Sequence, residues 1–223
     1  MKKTIIFLLF AVAVVTGVWW YQSSRSPLDA ASREAEERIS MPPGWKHSVF
    51  GTAEIASITH DENGVTIGAS SAGLHDTFHD FAWMYKESDK PLDAQARVVL
   101  DASAAPNAGA GWMIRAGLEP DAPFVSVYRD GQGRMMVNAS AFEERPAIAR
   151  AVKNTAGLEF LRIIVDGVVL KASCSSDGST WPIAENISMP WLTNRVMIGC
   201  AVFSGDPLQV VRANFFGLHI IPR

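Results

Sequence analysis

A chain of 223 residues with 48% apolar residues, 19% charged residues and a formal net charge of -3 has the makeup of one globular domain with a short appendage. That balance excludes a disordered chain and a coiled coil. Basic residues are scattered, with no run beyond Lys2-Lys3, so the clustered basic stripe of a nucleic-acid surface is absent.

Thr4 to Tyr21 is an unbroken run of uncharged residues led by Lys2-Lys3. As a helix it spans roughly 27 Å, close to the hydrocarbon core of a bilayer. Two readings stay open. A signal anchor has this length, and Trp19-Trp20-Tyr21 sits where an aromatic belt meets the headgroups. A cleaved signal peptide has the same basic and apolar regions, with Val15-Thr16-Gly17 as a small-residue cleavage site. No cysteine lies near the end of the run, which excludes a bacterial lipoprotein. Either way the basic end stays cytoplasmic and the remainder crosses, so the globular part is expected in a periplasmic or extracellular space.

Residues 22–43 read as a tether. Ser26 and Pro27 start a short helix over Leu28 to Ile39, and Met41-Pro42-Pro43-Gly44 ends it. From Gly44 to Arg223 the apolar period is two. Strands are expected at Glu54 to Ile58 and Gly64 to Ala69, around an Asn63-Gly64 hairpin signal, and at Thr77 to Lys86. Others follow at Ala94 to Asp101, Gly111 to Leu118, Phe124 to Arg129 and Arg134 to Ser140. The last four are Leu158 to Val165, Val168 to Ser173, Arg195 to Phe203 and Gln209 to Ile221. Asp130-Gly131-Gln132-Gly133 and Asp166-Gly167 turn the chain, and Pro146 to Lys153 reads as a helical turn or a loop. Short strands with little helix between them predict an all-β, antiparallel two-sheet sandwich.

Several motifs in order carry a resemblance. His75-Asp76-Thr77-Phe78-His79 precedes an aromatic strand. Gly111-Trp112-Met113-Ile114-Arg115 and Leu118-Glu119-Pro120-Asp121-Ala122-Pro123 come next. Leu161-Arg162-Ile163, the Ser176-Asp177-Gly178 turn running to Trp181, and Val196-Met197-Ile198-Gly199 complete the series. From Trp45 to the C-terminus the chain resembles the bacterial concanavalin A-like lectin/glucanase-type modules related to the "regulation of enolase" family. The resemblance implies a jelly-roll sandwich and brings no activity with it. Met136-Val137-Asn138 and Cys200 depart from the pattern, and the first departure touches any inherited binding face.

Hydrolysis of glycans on such a sandwich needs two carboxylates on one face, about 5 Å apart for a retaining enzyme. No Glu-x-Asp-x-x-Glu string exists, Glu143 and Glu144 would point oppositely, and the aspartates fall in turns. Serine and cysteine nucleophile motifs are also missing. Binding is the stronger reading, because aromatic rings stack on sugar faces while planar polar groups hold hydroxyls. Candidate ligand residues are Arg115, His79, Trp83, Tyr85, Tyr128 and Trp181. Alternation places Arg115 with Gly111 and Met113 on the concave face and sends Trp112 to the core. Arg115 is expected to stand exposed over small neighbours, paired with an acid across strands or free for a ligand. His79, Phe81, Trp83 and Tyr85 share one face, and a face so bulky belongs more often to a core.

No metal or cofactor is expected. His75 and His79 read as a strand polar pair, and calcium at Asp76, Asp80, Asp121 or Asp206 would need oxygens whose convergence alternation cannot show. Cys174 and Cys200 either form a disulfide, which an oxidising compartment permits, or lie buried as small hydrophobes. Asn138-Ala139-Ser140 and Asn186-Ile187-Ser188 match the glycosylation sequon. The expected function is a non-catalytic extracytoplasmic module that binds carbohydrate or another envelope ligand. A structural or protein-interaction module of the envelope is the alternative, and a glycoside hydrolase stands third. The expected partners are the membrane, through the N-terminal run, and a glycan or envelope protein.

Overall fold

The computed structural model describes residues 38–74, 79–140, 148–192 and 195–223. The expected N-terminal apolar helix and most of the tether fall outside the described residues. Near the end of that segment the Ser40 amide donates to the Ile58 carbonyl at 2.7 Å. No helix among the described residues is long and apolar enough to cross a membrane.

Fifteen strands appear among the described residues. They are β1 (Lys46–Phe50), β2 (Glu54–His60), β3 (Gly64–Ser71), β4 (Gly73–Leu74), β5 (His79–Asp89), β6 (Leu92–Leu100), β7 (Gly109–Arg115) and β8 (Phe124–Asp130). The rest are β9 (Met135–Ser140), β10 (Ile148–Ala151), β11 (Phe160–Asp166), β12 (Val169–Ser175), β13 (Ile183–Ser188), β14 (Arg195–Phe203) and β15 (Asp206–Pro222). They form two antiparallel sheets. The front sheet runs β1-β5-β14-β7-β8-β9-β10, with β4 on β5, and the back sheet runs β13-β12-β11-β6-β15-β3-β2.

Turn chemistry sets the hairpins. Asp61 Oδ1 accepts from the amides of Asn63 (2.8 Å) and Gly64 (3.0 Å), closing β2 onto β3. Asp130 Oδ1 does the same for Gln132 (3.0 Å) and Arg134 (2.9 Å) between β8 and β9. Gly167, at φ 57°, turns β11 into β12. The expected helical turn or loop at 146–153 is instead partly strand: Ile148–Ala151 pairs with β9 as an edge. Strands β1, β4 and β13 also go beyond the expected set.

Alternation divides every front strand between two faces. Ala82, Met84, Trp112, Ile114, Val125, Val127, Ile198 and Cys200 turn inward and are buried with Ile67, Ala96, Val98, Leu161, Ile163, Leu170 and Phe215 of the back sheet. Trp112 Nε1 donates across the gap to the Leu161 carbonyl at 3.4 Å, and Arg129 Nη1 donates to the Val98 carbonyl at 2.7 Å. Trp112 is therefore core, as alternation predicts.

Of the two cysteine readings, the structure carries that of buried small hydrophobes. Cys174 lies on β12 of the back sheet and Cys200 on β14 of the front sheet, and both are free and buried. Burial pushes the Cys174 thiol up to about 11 and the Cys200 thiol well above its ordinary value. We expect a thiol reagent to leave both untouched in the native protein and to count two after unfolding, with Tm unchanged by reductant. Labelling without denaturant would show that the core at β12 and β14 is open.

Candidate functional site

The outward face of the front sheet carries most of the candidate residues. On the two central strands part of this face is a low floor: Gly199 and Ala201 on β14 and Gly109 and Gly111 on β7, bounded by Met197 and Phe203 on β14 and by Met113 and Arg115 on β7. A Cβ on Gly111 would lie 2.2 Å from the Val127 carbonyl oxygen, and one on Gly109 would lie 2.3 Å from the Phe203 ring. Rings from β1, β5 and β8, with Phe203 from the end of β14, fill the space over this floor. Trp83 and Tyr85 stack at 4.4 Å, Phe50 and Phe81 at 4.6 Å, and Tyr128 meets Phe203 edge-on at 5.0 Å. With Met113 and Phe124 they make one buried cluster drawn from the front-sheet strands alone.

The face is concave. Arg115 pairs with Met197, which pairs with Glu87, whereas Phe81 lies six positions earlier on the same strand as Glu87. In a flat sheet that offset is about 20 Å. The Arg115 guanidinium nevertheless sits 4.2 Å from the Phe50 ring and 5.7 Å from the rings of Phe81 and Phe124. The His79 ring, further still along β5, lies 4.5 Å from Phe124. Only strands that bend toward each other bring these ends together.

Arg115 departs from expectation in one respect. Its face is the predicted one, but it is 0% exposed and pairs with no acid among the described residues. Its Nε donates to the Gly117 carbonyl at 3.1 Å and its Nη2 to the Glu119 carbonyl at 2.7 Å, because the loop after β7 folds back over it. Burial pushes the guanidinium down to about 10, against weaker upward pulls from Glu119 and Asp121.

The structure brings together Arg115, His79, Trp83, Tyr85 and Tyr128 on this face. Trp181 is not among them. It stands over Arg162, 5.4 Å from its guanidinium, and Arg162 points away from the core on the back sheet's β11. His75, Asp76 and the Glu143-Glu144 pair lie outside the described residues. No group of three or more metal-binding side chains occurs among the described residues. Of the calcium candidates, Asp80 is spoken for: its Oδ2 accepts from Thr52 Oγ1 at 2.9 Å and the Ala72 amide at 2.7 Å.

Asn138 is a site residue that sequence reasoning passed over. It is 1% exposed and shares the concave face through its pairing with Ser126, so its sequon is unavailable for modification in the folded chain. Its signal was a polar residue in phase with Met136 on a strand.

A common feature joins these residues. His79 Nε2, Trp83 Nε1, Arg115 Nη1 and both amide atoms of Asn138 are buried without a hydrogen-bond partner among the described residues. Asp80 Oδ1 and Arg129 Nε share that condition away from this face. Carboxylates on the face stand only at strand ends. Glu87 is tied to Lys46 (3.5 Å) and Arg195 (3.0 Å), and Asp130 is tied to its own turn and Arg134. The central rows hold no acid.

No protein-family model matches the chain, and no curated protein matches it. Solved structures do. A Saccharomyces cerevisiae protein described as functionally unknown is 16% identical, with a TM-score of 0.62 over 81% of this chain and 97% of that one. Bacillus licheniformis β-glucanase is 7% identical, with a TM-score of 0.52 over 82% and 95%. A lichenase from a mouse hindgut metagenome is 8% identical, with a TM-score of 0.50 over 79% and 92%.

His79 yields a prediction. Burial, and then the Arg115 charge, hold its imidazole below the usual 6.5. Its unfolded form therefore binds the proton more readily, so its contribution to stability is complete above about pH 6.5 and is lost as the pH falls. Urea unfolding at several pH values should show this loss, and His79→Phe should flatten it. An unchanged slope in the variant would assign the loss to other groups. At these low identities the likeness establishes the fold, a concanavalin A-like two-sheet β-sandwich.

Proposed function

We propose that the protein is a non-catalytic module that binds carbohydrate on the concave face of its front sheet, outside the cytoplasm. The observation that carries this reading is the set of orphaned polar atoms among the aromatic rings. A permanent core has no use for an indole N–H, an imidazole nitrogen, a guanidinium N–H and a whole carboxamide that bond to nothing. Each costs about 1–3 kcal/mol when buried unmet. Rings flanked by such atoms match the apolar faces and hydroxyl edges of a sugar. β-Glucanases share the sandwich, so this architecture accommodates carbohydrate. The motif order that resembles the "regulation of enolase" family fits the same fold and adds no activity. Bound carboxylates at the strand ends and an acid-free centre weigh against glycosidase chemistry on this face.

A second reading has its own support. Trp83 and Arg115 have no exposed surface, as in a sealed second core, and this favours a structural or interaction module of the envelope. Two isosteric changes separate the readings. Trp83→Phe keeps the stack and removes the N–H, and Asn138→Leu removes the amide at similar volume. If these atoms await a ligand, each variant matches or exceeds the parent in stability, by up to about 1 kcal/mol, and loses binding on a glycan array. Clear destabilisation of both, with no glycan retained by the parent, supports the sealed core.

Placement on a membrane rests on Lys2-Lys3 and the apolar Thr4 to Tyr21 run. Membrane fractionation with N-terminal sequencing checks it. An intact N-terminus in the membrane fraction is expected for an anchor, and a mature chain starting at Val18 in the soluble fraction means a cleaved signal.

A further inference from the structure

We infer that the ligand of the concave face carries an anionic group, a carboxylate or a sulfate, and that Arg115 Nη1 is the atom that receives it. The inference rests on the carbohydrate reading above and narrows it to acidic glycans.

Arg115 is fully buried, and a buried charge is ordinarily met by an opposite charge. Here its direct contacts are dipoles, and the carboxylates of Glu119 and Asp121 act on it without forming an ion pair. The edge formed by Nε and Nη2 is occupied by the carbonyls of Gly117 and Glu119. Those contacts fix the guanidinium in place and supply no full negative charge. Three rings, of Phe50, Phe81 and Phe124, surround it and add the modest attraction of their faces. Nη1 is left buried with its hydrogens unused.

Among the described residues no carboxylate reaches it: Glu119 and Asp121 in the loop above exert a weaker pull and make no ion pair with it. Glu87 at the end of the same row is held by Lys46 and Arg195, and Asp130 at the far end is held by Arg134. His79, next to the guanidinium, is an imidazole and brings none. A bound anionic oxygen would complete Nη1 with one charge-assisted hydrogen bond, which is stronger and shorter than a neutral one. Trp83 Nε1, His79 Nε2 and the Asn138 amide then remain for hydroxyls and ring oxygens. Arginine also suits this position better than lysine, since its planar head can be pinned along one edge and still present the other. A neutral sugar would fill the hydroxyl sites and leave the cation as it is.

The test uses the full chain and calorimetric titration with oligogalacturonate, the same oligomer fully methyl-esterified, and a sulfated and an unsulfated galactan of matched length. At least one acidic member should bind, and its neutral counterpart should bind at least tenfold more weakly. Binding of the galacturonate arm identifies a carboxylate and binding of the galactan arm a sulfate. Arg115→Met keeps the aliphatic stem and removes the charge, so it should abolish the preference for the acidic form. Arg115→Lys, which restores charge without the pinned edge, should recover only part of it. The ester comparison on the parent protein needs no variant, so a folding failure of Arg115→Met leaves the inference testable.

Equal binding of acidic and neutral forms, with Arg115→Met unchanged, overturns the assigned charge while the carbohydrate reading stands. Binding of none of the four at millimolar concentration, with Trp83→Phe and Asn138→Leu both destabilised, overturns the carbohydrate reading itself.

Discussion

The concave face depends on the absence of side chains at its centre. Gly199 on β14 and Gly111 on β7 pair with their neighbours so closely that a Cβ would lie 2.0 Å from the Met84 carbonyl oxygen in one case and 2.2 Å from that of Val127 in the other. Neither position can gain a methyl group without the strands moving apart. With the floor kept low, Trp83, Tyr85, Tyr128 and Phe203 lie over it and the strands bend around them. A flat sheet with ordinary residues there would hold the same rings apart and leave Arg115 in water. The two glycines thus keep the floor low, and the fold-back at Gly117 and Glu119 completes the burial of Arg115.

The two sides of the front sheet treat the same residue types differently. On the inner side Trp112 gives its N–H to the Leu161 carbonyl, and Arg129 gives Nη1 to the Val98 carbonyl with Glu159 4.0 Å away. On the outer side Trp83 gives its N–H to nothing, and Arg115 keeps one arm idle without an acid. Both sides exclude water, so exposure cannot explain the difference. The inner side is largely finished within the chain, with Arg129 Nε as an exception. The outer side has the enclosure of a core and the unfinished hydrogen bonding of a site.

Much of this arrangement is legible in the sequence. Alternation around Trp112 separates Gly111, Met113 and Arg115 from the inward residues, and Asn63-Gly64, Asp130-Gly131 and Asp166-Gly167 mark true hairpins. Burial was harder to read, because it depends on contacts between distant residues. Phe50 reaches Arg115 from a strand that had no distinct pattern, since Lys46 to Phe50 lacks a run of apolar alternation. The fold-back at Gly117 and Glu119 is likewise a loop conformation that period-two reading does not reach. Asn138 was obscured for another reason: a sequon match drew attention to the wrong property of the residue. Trp181 lies apart from the other candidates, because alternation along β11 sends its partner Arg162 to the outer face of the other sheet.

The energetics of the unmet atoms bear on how such a face can work. At about 1–3 kcal/mol each, they cost an amount comparable to the whole net stability of a typical domain, about 5–15 kcal/mol. The inter-sheet core has to supply the margin, and its satisfied contacts are suited to that. The enclosure over the concave face therefore holds less tightly than the core beneath it, and local opening is cheapest where polar atoms gain water by it. Opening also frees the rings, which then lose burial, so the closed form keeps an advantage in the absence of a ligand. A ligand that covers the rings and meets the polar atoms removes both penalties at once. On this account the closure of the face and the binding proposed for it would have the same physical origin: aromatic groups that need cover, set among polar groups that the chain's own cover does not satisfy.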